Sequence, residues 1–225
     1  LFLFNAILNA KHEFLKIFAG DYIKAHKEAC KFVDRVYGCE IPKEADLVIA
    51  SCGGYPKDIN VYQMQKTMDN AACAVRKGGV VILLAECIEG SGSAKLEETF
   101  KRLTTPEAIK KELEDNFQIG ANKAYAITRP QGKAKFILVT ALNRDLAKSM
   151  HFTAAVDTVE EALKIAREYV GEHPSTILMP EGSLTVPRVV APEAHPCCCG
   201  GHGHHHEGEG EHHHHHEGCC GGGKH

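Results

Sequence analysis

Two uninterrupted apolar runs constrain this chain most: Asp46–Ala50 (DLVIA) and Val80–Ala85 (VVILLA). A strand that is apolar at nearly every position needs cover on both faces, which is the condition of a parallel sheet between helices. Between the runs lie a glycine-rich loop, Ser51-Cys52-Gly53-Gly54-Tyr55-Pro56, and an amphipathic segment that predicts a helix over about residues 58–76, ending at Gly78-Gly79. Strand, loop, helix and strand make a βαβ unit, expected to be right-handed. Phe136–Val139 (FILV) and Thr176–Met179 (TILM, closed by Pro180) read as further core strands. Helices are predicted over 95–103, over 106–116 with Pro106 in its first position behind Thr105, over 143–150, and over 158–170 with Glu160-Glu161 in its first turn. Residues 121–129 are ambiguous, with a further helix turn as the reading on offer. Upstream, Leu1–Leu8 has strand character, and Phe14–Phe18 is compatible with a hairpin partner or a helix. Asp21 stands as an N-cap before Ile23, His26, Cys30, Val33 and Tyr37, which recur at helical spacing until Gly38. The alternation predicts an α/β fold: a layered domain with a central, mostly parallel sheet flanked by helices.

Composition breaks near residue 190, dividing a body (1–190) from a tail (191–225). The last 35 residues hold 11 of the 15 His and 5 of the 10 Cys, with 9 Gly, 5 Glu and one Lys, and no large apolar residue. Such a segment cannot bury enough apolar surface to offset its chain entropy, so a disordered C-terminal tail is expected. The net charge of −3 belongs to that tail, and the body is close to neutral. No basic face for nucleic acid follows from this balance, and no apolar run reaches the roughly 18 residues of a membrane span. The opening LFLFNAIL has no basic segment before it and does not read as a signal peptide. Without an initiator Met, the chain is expected to begin inside a longer protein. Cys30, Cys39, Cys52, Cys73 and Cys87 are odd in number and lack CxxC spacing, which predicts reduced thiols in a cytoplasmic protein.

Ligands of open α/β sheets sit beyond the carboxyl ends of the strands. Here that edge carries the Gly53-Gly54-Tyr55 loop, feeding a helix whose first N–H groups favour an anion. Tyr62, Gln63 and Lys66 follow at i,i+3 and i,i+4 spacing, so a phenol, an amide and an ammonium share one helix face. That set suits a carboxylate or a phosphate; otherwise it is a solvated lysine beside a packing tyrosine. Gly90-Ser91-Gly92 lacks the rest of a dinucleotide fingerprint, since position 95 is Lys. The body histidines, His12, His26, His151 and His173, are scattered and match no metalloprotease or triad pattern.

These residues carry a resemblance. The stretch 46–92, with GGYP-K-D, then Tyr-Gln-x-x-Lys, then Lys-Gly-Gly before a strand ending Ala-Glu-Cys, resembles the C-terminal domain of nickel-pincer-dependent lactate racemases. FNAILN, Ala19-Gly20-Asp21, Ala25-His26, Lys123-Ala124-Tyr125, Met179-Pro180 and Thr185-Val186-Pro187 fit the same family in order. The resemblance implies a two-domain enzyme that inverts the carbinol carbon of a small 2-hydroxy acid such as lactate. It implies that Gln63 and Lys66 bind the substrate carboxylate and that Tyr62 lines the same cleft. The nickel-pincer nucleotide, the lysine joined to it and the acid–base histidines belong to the family's N-terminal domain. No catalytic residue is therefore expected in this chain, which alone should not racemise anything. Asn122 stands where the family often has a histidine, which leaves the choice of hydroxy acid open.

The tail offers dense metal ligands: His202, His204, His205, His206, His212, His213, His214, His215 and His216, with Cys197, Cys198, Cys199, Cys219 and Cys220. Imidazole and thiolate suit Ni(II) or Zn(II) in several exchanging sites rather than one rigid site. Two functions of different class follow. One is the substrate-binding part of a hydroxy-acid racemase, partnered by the missing N-terminal domain and by nickel-delivery or cofactor-synthesis proteins. The other is a stand-alone nickel or zinc storage protein acting through the tail.

Overall fold

The computed structural model describes residues 1–9 and 11–190. The tail expected to be disordered, with all its candidate metal ligands, lies outside the described residues. The chain runs β1 (Phe2–Leu8), β2 (Phe14–Asp21), α1 (Tyr22–Tyr37), β3 (Gly38–Ile41), β4 (Ala45–Ser51), α2 (Val61–Ala72), β5 (Val75–Leu84), α3 (Ala94–Arg102), α4 (Pro106–Asp115) and α5 (Ala121–Gln131). It continues through β6 (Lys135–Val139), α6 (Arg144–Ser149), β7 (Ala154–Val156), α7 (Val159–Val170), β8 (Thr176–Met179) and β9 (Val186–Val189).

The central sheet has five strands in the order β7-β6-β5-β4-β8, all parallel. Side chains alternate between its faces, which explains why the apolar runs are continuous. Val48, Ala50, Val81, Leu83, Phe136 and Leu138 join a core with Met64 and Met68 of α2 and Ala124 and Ile127 of α5. Leu47, Val80, Ile82 and Ile137 face the other way and pack on Ala162 and Ala166 of α7. Helices thus cover both faces, as the sequence predicts.

Two smaller features depart from the sequence expectation, and a third resolves an ambiguity in it. The helix expected over 58–76 is only α2, Val61–Ala72. Residues 75–79 enter the sheet instead, where the β4–β5 register jumps from Ala45↔Val75 to Leu47↔Val80. Gly78, at φ 78°, turns the chain through this bulge. Second, β3 and β9 form a separate two-stranded parallel sheet that no apolar run announces. Pro187 is tolerated there because a two-stranded pair has no interior strand. Third, residues 121–129, ambiguous in sequence, are part of α5.

At the N-terminus β1 and β2 form an antiparallel hairpin, with Phe4 opposite Ala19 and Ala6 opposite Ile17. Asp21 caps α1 by accepting from the Lys24 amide, as expected. One hairpin face meets α1, where the Phe18 and Phe32 ring centroids are 5.9 Å apart. The opposite face presents Phe2, Phe4 and Ile17, which are at least half exposed. No described helix is long and apolar enough to cross a membrane.

Candidate functional site

The site is built on α2, so the capping of that helix comes first. Asn60 is its N-cap, and its side chain accepts from the Gln63 amide at 3.0 Å. The Val61 and Tyr62 amides donate to the carbonyls of Gly90 and Ser91, both at 3.1 Å. All three leading N–H groups of the helix are therefore paired within the protein. This corrects the expectation that they stay open for an anion. The Gly53-Gly54-Tyr55 loop is also an unsuitable cradle. The Gly53 amide donates to Ser51 Oγ at 3.0 Å. A Cβ at Gly53 would stand 2.5 Å from a Glu181 carboxylate oxygen. That carboxylate, held by Lys57 at 3.0 Å, disfavours a second anion beside it. Tyr55 is exposed.

The side chains of α2 behave differently. Lys66 Nζ donates to Gln63 Oε1 at 2.9 Å, so the i,i+3 pair shares one face as the spacing predicts. With its oxygen turned to the ammonium, the Gln63 amide group is left as a donor. Lys66 is exposed, and Tyr62 and Gln63 are half-buried. Lys66 borders a groove of ≈ 440 Å³ between α1 and α2, lined also by Val33, Tyr37, Asp69, Asn70 and Leu184, with the Asp69 carboxylate held by Arg129 and Gln65. Asn70 ties this wall to the loop after β8 by donating to the Gly182 carbonyl at 2.8 Å. Among the described residues, no carboxylate lies within ion-pair distance of Lys66. An ammonium and an amide donor side by side, with the neighbouring Asp69 carboxylate held by other partners, can take a carboxylate between them.

One residue of this cluster was not singled out by spacing. Lys123, in the first turn of α5, lies 4.6 Å from the Tyr62 ring centroid and donates to Gln65 Oε1 at 2.7 Å. Burial, and next the nearby Lys66 charge, lower the pKa of its ammonium, while Asp69 opposes the shift. Lys123 and Gln65 are 58 residues apart. No helical or strand periodicity links positions so distant. The only sequence signal was the Lys123-Ala124-Tyr125 motif of the resemblance. Asn122 turns to its own loop, its Oδ1 accepting from the Gly120 amide at 3.0 Å.

Among the described residues, no group of three or more His, Cys, Asp or Glu converges as a metal ion requires. His26 sits 3.5 Å from the Cys30 sulfur, and His151 meets Phe100 edge-on. The described residues thus do not fit a nickel centre, and no chemical step is assigned to such a centre here. Cys52 and Cys87 are buried, which pushes their thiols up to about 11 and about 12. They remain protonated at neutral pH and are poor nucleophiles or metal ligands.

Comparison with known proteins identifies the family of the chain. The family model for the lactate racemase C-terminal domain matches residues 41–186. The lactate racemase of Thermoanaerobacterium thermosaccharolyticum is 33% identical over 192 residues, covering 83% of this chain and 45% of that protein. The lactate racemase of Lactiplantibacillus plantarum is 29% identical over 190 residues, covering 80% of this chain and 43% of that protein. The solved apoprotein of the Thermoanaerobacterium enzyme superposes with a TM-score of 0.72 over 83% of this chain. A Thermotoga maritima protein, 14% identical at a TM-score of 0.55, shares the fold. The chain spans less than half the length of the curated relatives it matches.

Proposed function

The chain belongs to the lactate racemase C-terminal domain family, and from that premise we propose that it is the substrate-holding part of a nickel-dependent 2-hydroxy-acid racemase. The observation that carries this reading is the Gln63–Lys66 pair, an ammonium and an amide donor that no carboxylate among the described residues pairs with. They hold the acid group of a lactate-type substrate, and Tyr62 walls the same site. A carboxylate so held fixes the carbinol carbon at a set distance and orientation, which is how positioning lowers a barrier. Hydride and proton movement at that carbon are assigned to residues outside this chain, together with the nickel-pincer nucleotide. The chain alone is inactive in this account.

The bare hairpin face supports the same reading. Phe2, Phe4 and Ile17 point away from α1 into solvent, and burying each is worth roughly 1.5–3 kcal/mol. We assign this face to contact with the N-terminal part of the racemase, and residues 1–190 to one functional body. The free cysteines fit a reducing cytoplasm.

The test supplies the absent part. The chain is co-expressed with the N-terminal portion of the Thermoanaerobacterium enzyme, loaded with nickel cofactor, and the loss of optical purity of L-lactate is followed. The expected result is racemisation that falls at least tenfold, on the order of one charged hydrogen bond, in Lys66→Ala. Unchanged turnover in Lys66→Ala removes Lys66 from the site.

The tail supports a second reading, metal binding, on its density of imidazoles and thiols. Ni(II) or Zn(II) held by His202, His204–His206, His212–His216 and the two cysteine clusters would serve storage or delivery of the metal. Deleting residues 195–225 is expected to abolish Ni(II) uptake in equilibrium dialysis. Uptake that survives the deletion contradicts this role for the tail.

A further inference from the structure

Among the described residues, the ammonium of Lys123 has no ion-pair partner. Its hydrogen bond goes to a neutral amide oxygen, its ammonium stands 4.6 Å from the Tyr62 ring centroid in a cation–π contact, and it is half-buried. Among the described residues, no carboxylate lies within ion-pair distance of it. The nearest acid in electrostatic reach, Asp69, is committed elsewhere: one oxygen accepts from Arg129 at 2.8 Å and the other from the Gln65 amide. Its other charged neighbour is Lys66, which repels it. On α3, Lys95, whose side chain lies beside Gly120, is paired with Glu98. A partly desolvated cation beside a like charge is costly for folding, and a methionine of similar length would remove that cost. Yet the protein builds a support for it. Arg129 of α5 holds Asp69 of α2, Asp69 holds buried Gln65, and Gln65 Oε1 fixes the Lys123 ammonium.

We propose that Lys123 is a second substrate-binding ammonium, which together with Lys66 forms a two-lysine site completed by the carboxylate of the 2-hydroxy acid. The inference deepens the carboxylate reading of Gln63 and Lys66 and rests on it. Two ammonium groups on different helices give the bound acid group two fixed points of attraction. One point is set by α2 and the other by α5, so the carboxylate is oriented as well as held. The Arg129–Asp69–Gln65 chain is then the support that keeps the second point in place.

The test is equilibrium dialysis of the full 225-residue chain with radiolabelled L-lactate, together with thermal melts. The variants are Lys66→Met, Lys123→Met and Lys123→Arg. Expected are a loss of about tenfold in affinity for Lys123→Met and recovery to within about threefold of wild type in Lys123→Arg. The melting temperature of Lys123→Met is expected to fall, because buried Gln65 Oε1 loses its donor, and the binding measurement decides. A Lys123→Met chain that melts lower and binds lactate unchanged overturns the proposal, because Lys123 is then a brace between α2 and α5. Affinity lost in Lys123→Met and not recovered in Lys123→Arg overturns it too. If Lys66→Met loses binding and Lys123→Met does not, the two-lysine site fails while the carboxylate reading of Lys66 stands. A wild-type chain that binds no lactate removes both.

Discussion

The Lys66 ammonium is met by Gln63 Oε1 and by no described carboxylate, and that single imbalance sets its chemistry. The pair was legible because three residues on a helix bring two side chains together whatever the rest of the fold does. Lys123 was not legible as a site residue, since its partners come from a different helix. The backbone amides ahead of Gln63 misled the sequence reading for a similar reason: the carbonyls of Gly90 and Ser91 that consume them are about thirty residues away. The buried thiols permit a prediction at this scale. At pH 8, iodoacetamide is expected to alkylate Cys30, Cys39 and Cys73 and to spare Cys52 and Cys87, as read by peptide mass mapping. Equal labelling of all five contradicts the burial. The sign of the pH effect follows from the same two groups. Their folded pKa values, about 11 and about 12, lie above the ordinary 9.0. Their contribution to stability is complete below pH 9 and is lost as pH rises through 9 toward 12.

Among the elements, α2 governs the site, and its cap is the point of greatest leverage. Asn60→Ala should cost about 1 kcal/mol and lower the melting temperature, because the Gln63 amide loses its acceptor. Gly92→Ala should cost more. Its φ of 73° strains any other residue, and a Cβ there would stand 2.4 Å from Asn60 Cγ, pushing the cap away. A Gly92→Ala melt indistinguishable from wild type rules out this packing. Asp46 is a second point. Its carboxyl accepts from the Ser175 amide and hydroxyl and pairs with Arg76, which holds it well below the usual carboxylate range. Its stabilisation is present above pH 4 and is lost as acid protonates it, so the acid melting profile of Asp46→Asn should be flatter than that of wild type. The long strands of the sheet could be read from their continuous apolar runs. The ends of β5, and all of β3, β7 and β9, could not, because three or four residues carry too little periodicity and their pairing is decided by distant partners.

At the scale of the molecule, the described residues leave one hairpin face bare, with Phe2, Phe4 and Ile17 at least half exposed. Phe4→Glu is expected to leave the melting temperature within a few degrees of wild type, since Phe4 is 68% exposed, and to abolish co-purification with the N-terminal racemase part. Retained co-purification would move the contact elsewhere. The fold class and the side-by-side placing of Gln63 and Lys66 were readable in sequence because both follow from local order; the contact of Lys123 with Tyr62 and the hairpin's bare face follow from tertiary packing. The central claim is that α2 grips an acid group. Its most direct test is an NMR titration of the 225-residue chain with L-lactate and, in parallel, with lactamide, the uncharged amide of the same molecule. The account predicts saturable shifts of the Gln63 side-chain amide and the Lys66 ε-methylene with lactate, and none with lactamide. Equal shifts with both ligands, or none at Gln63 and Lys66 with lactate, would contradict it.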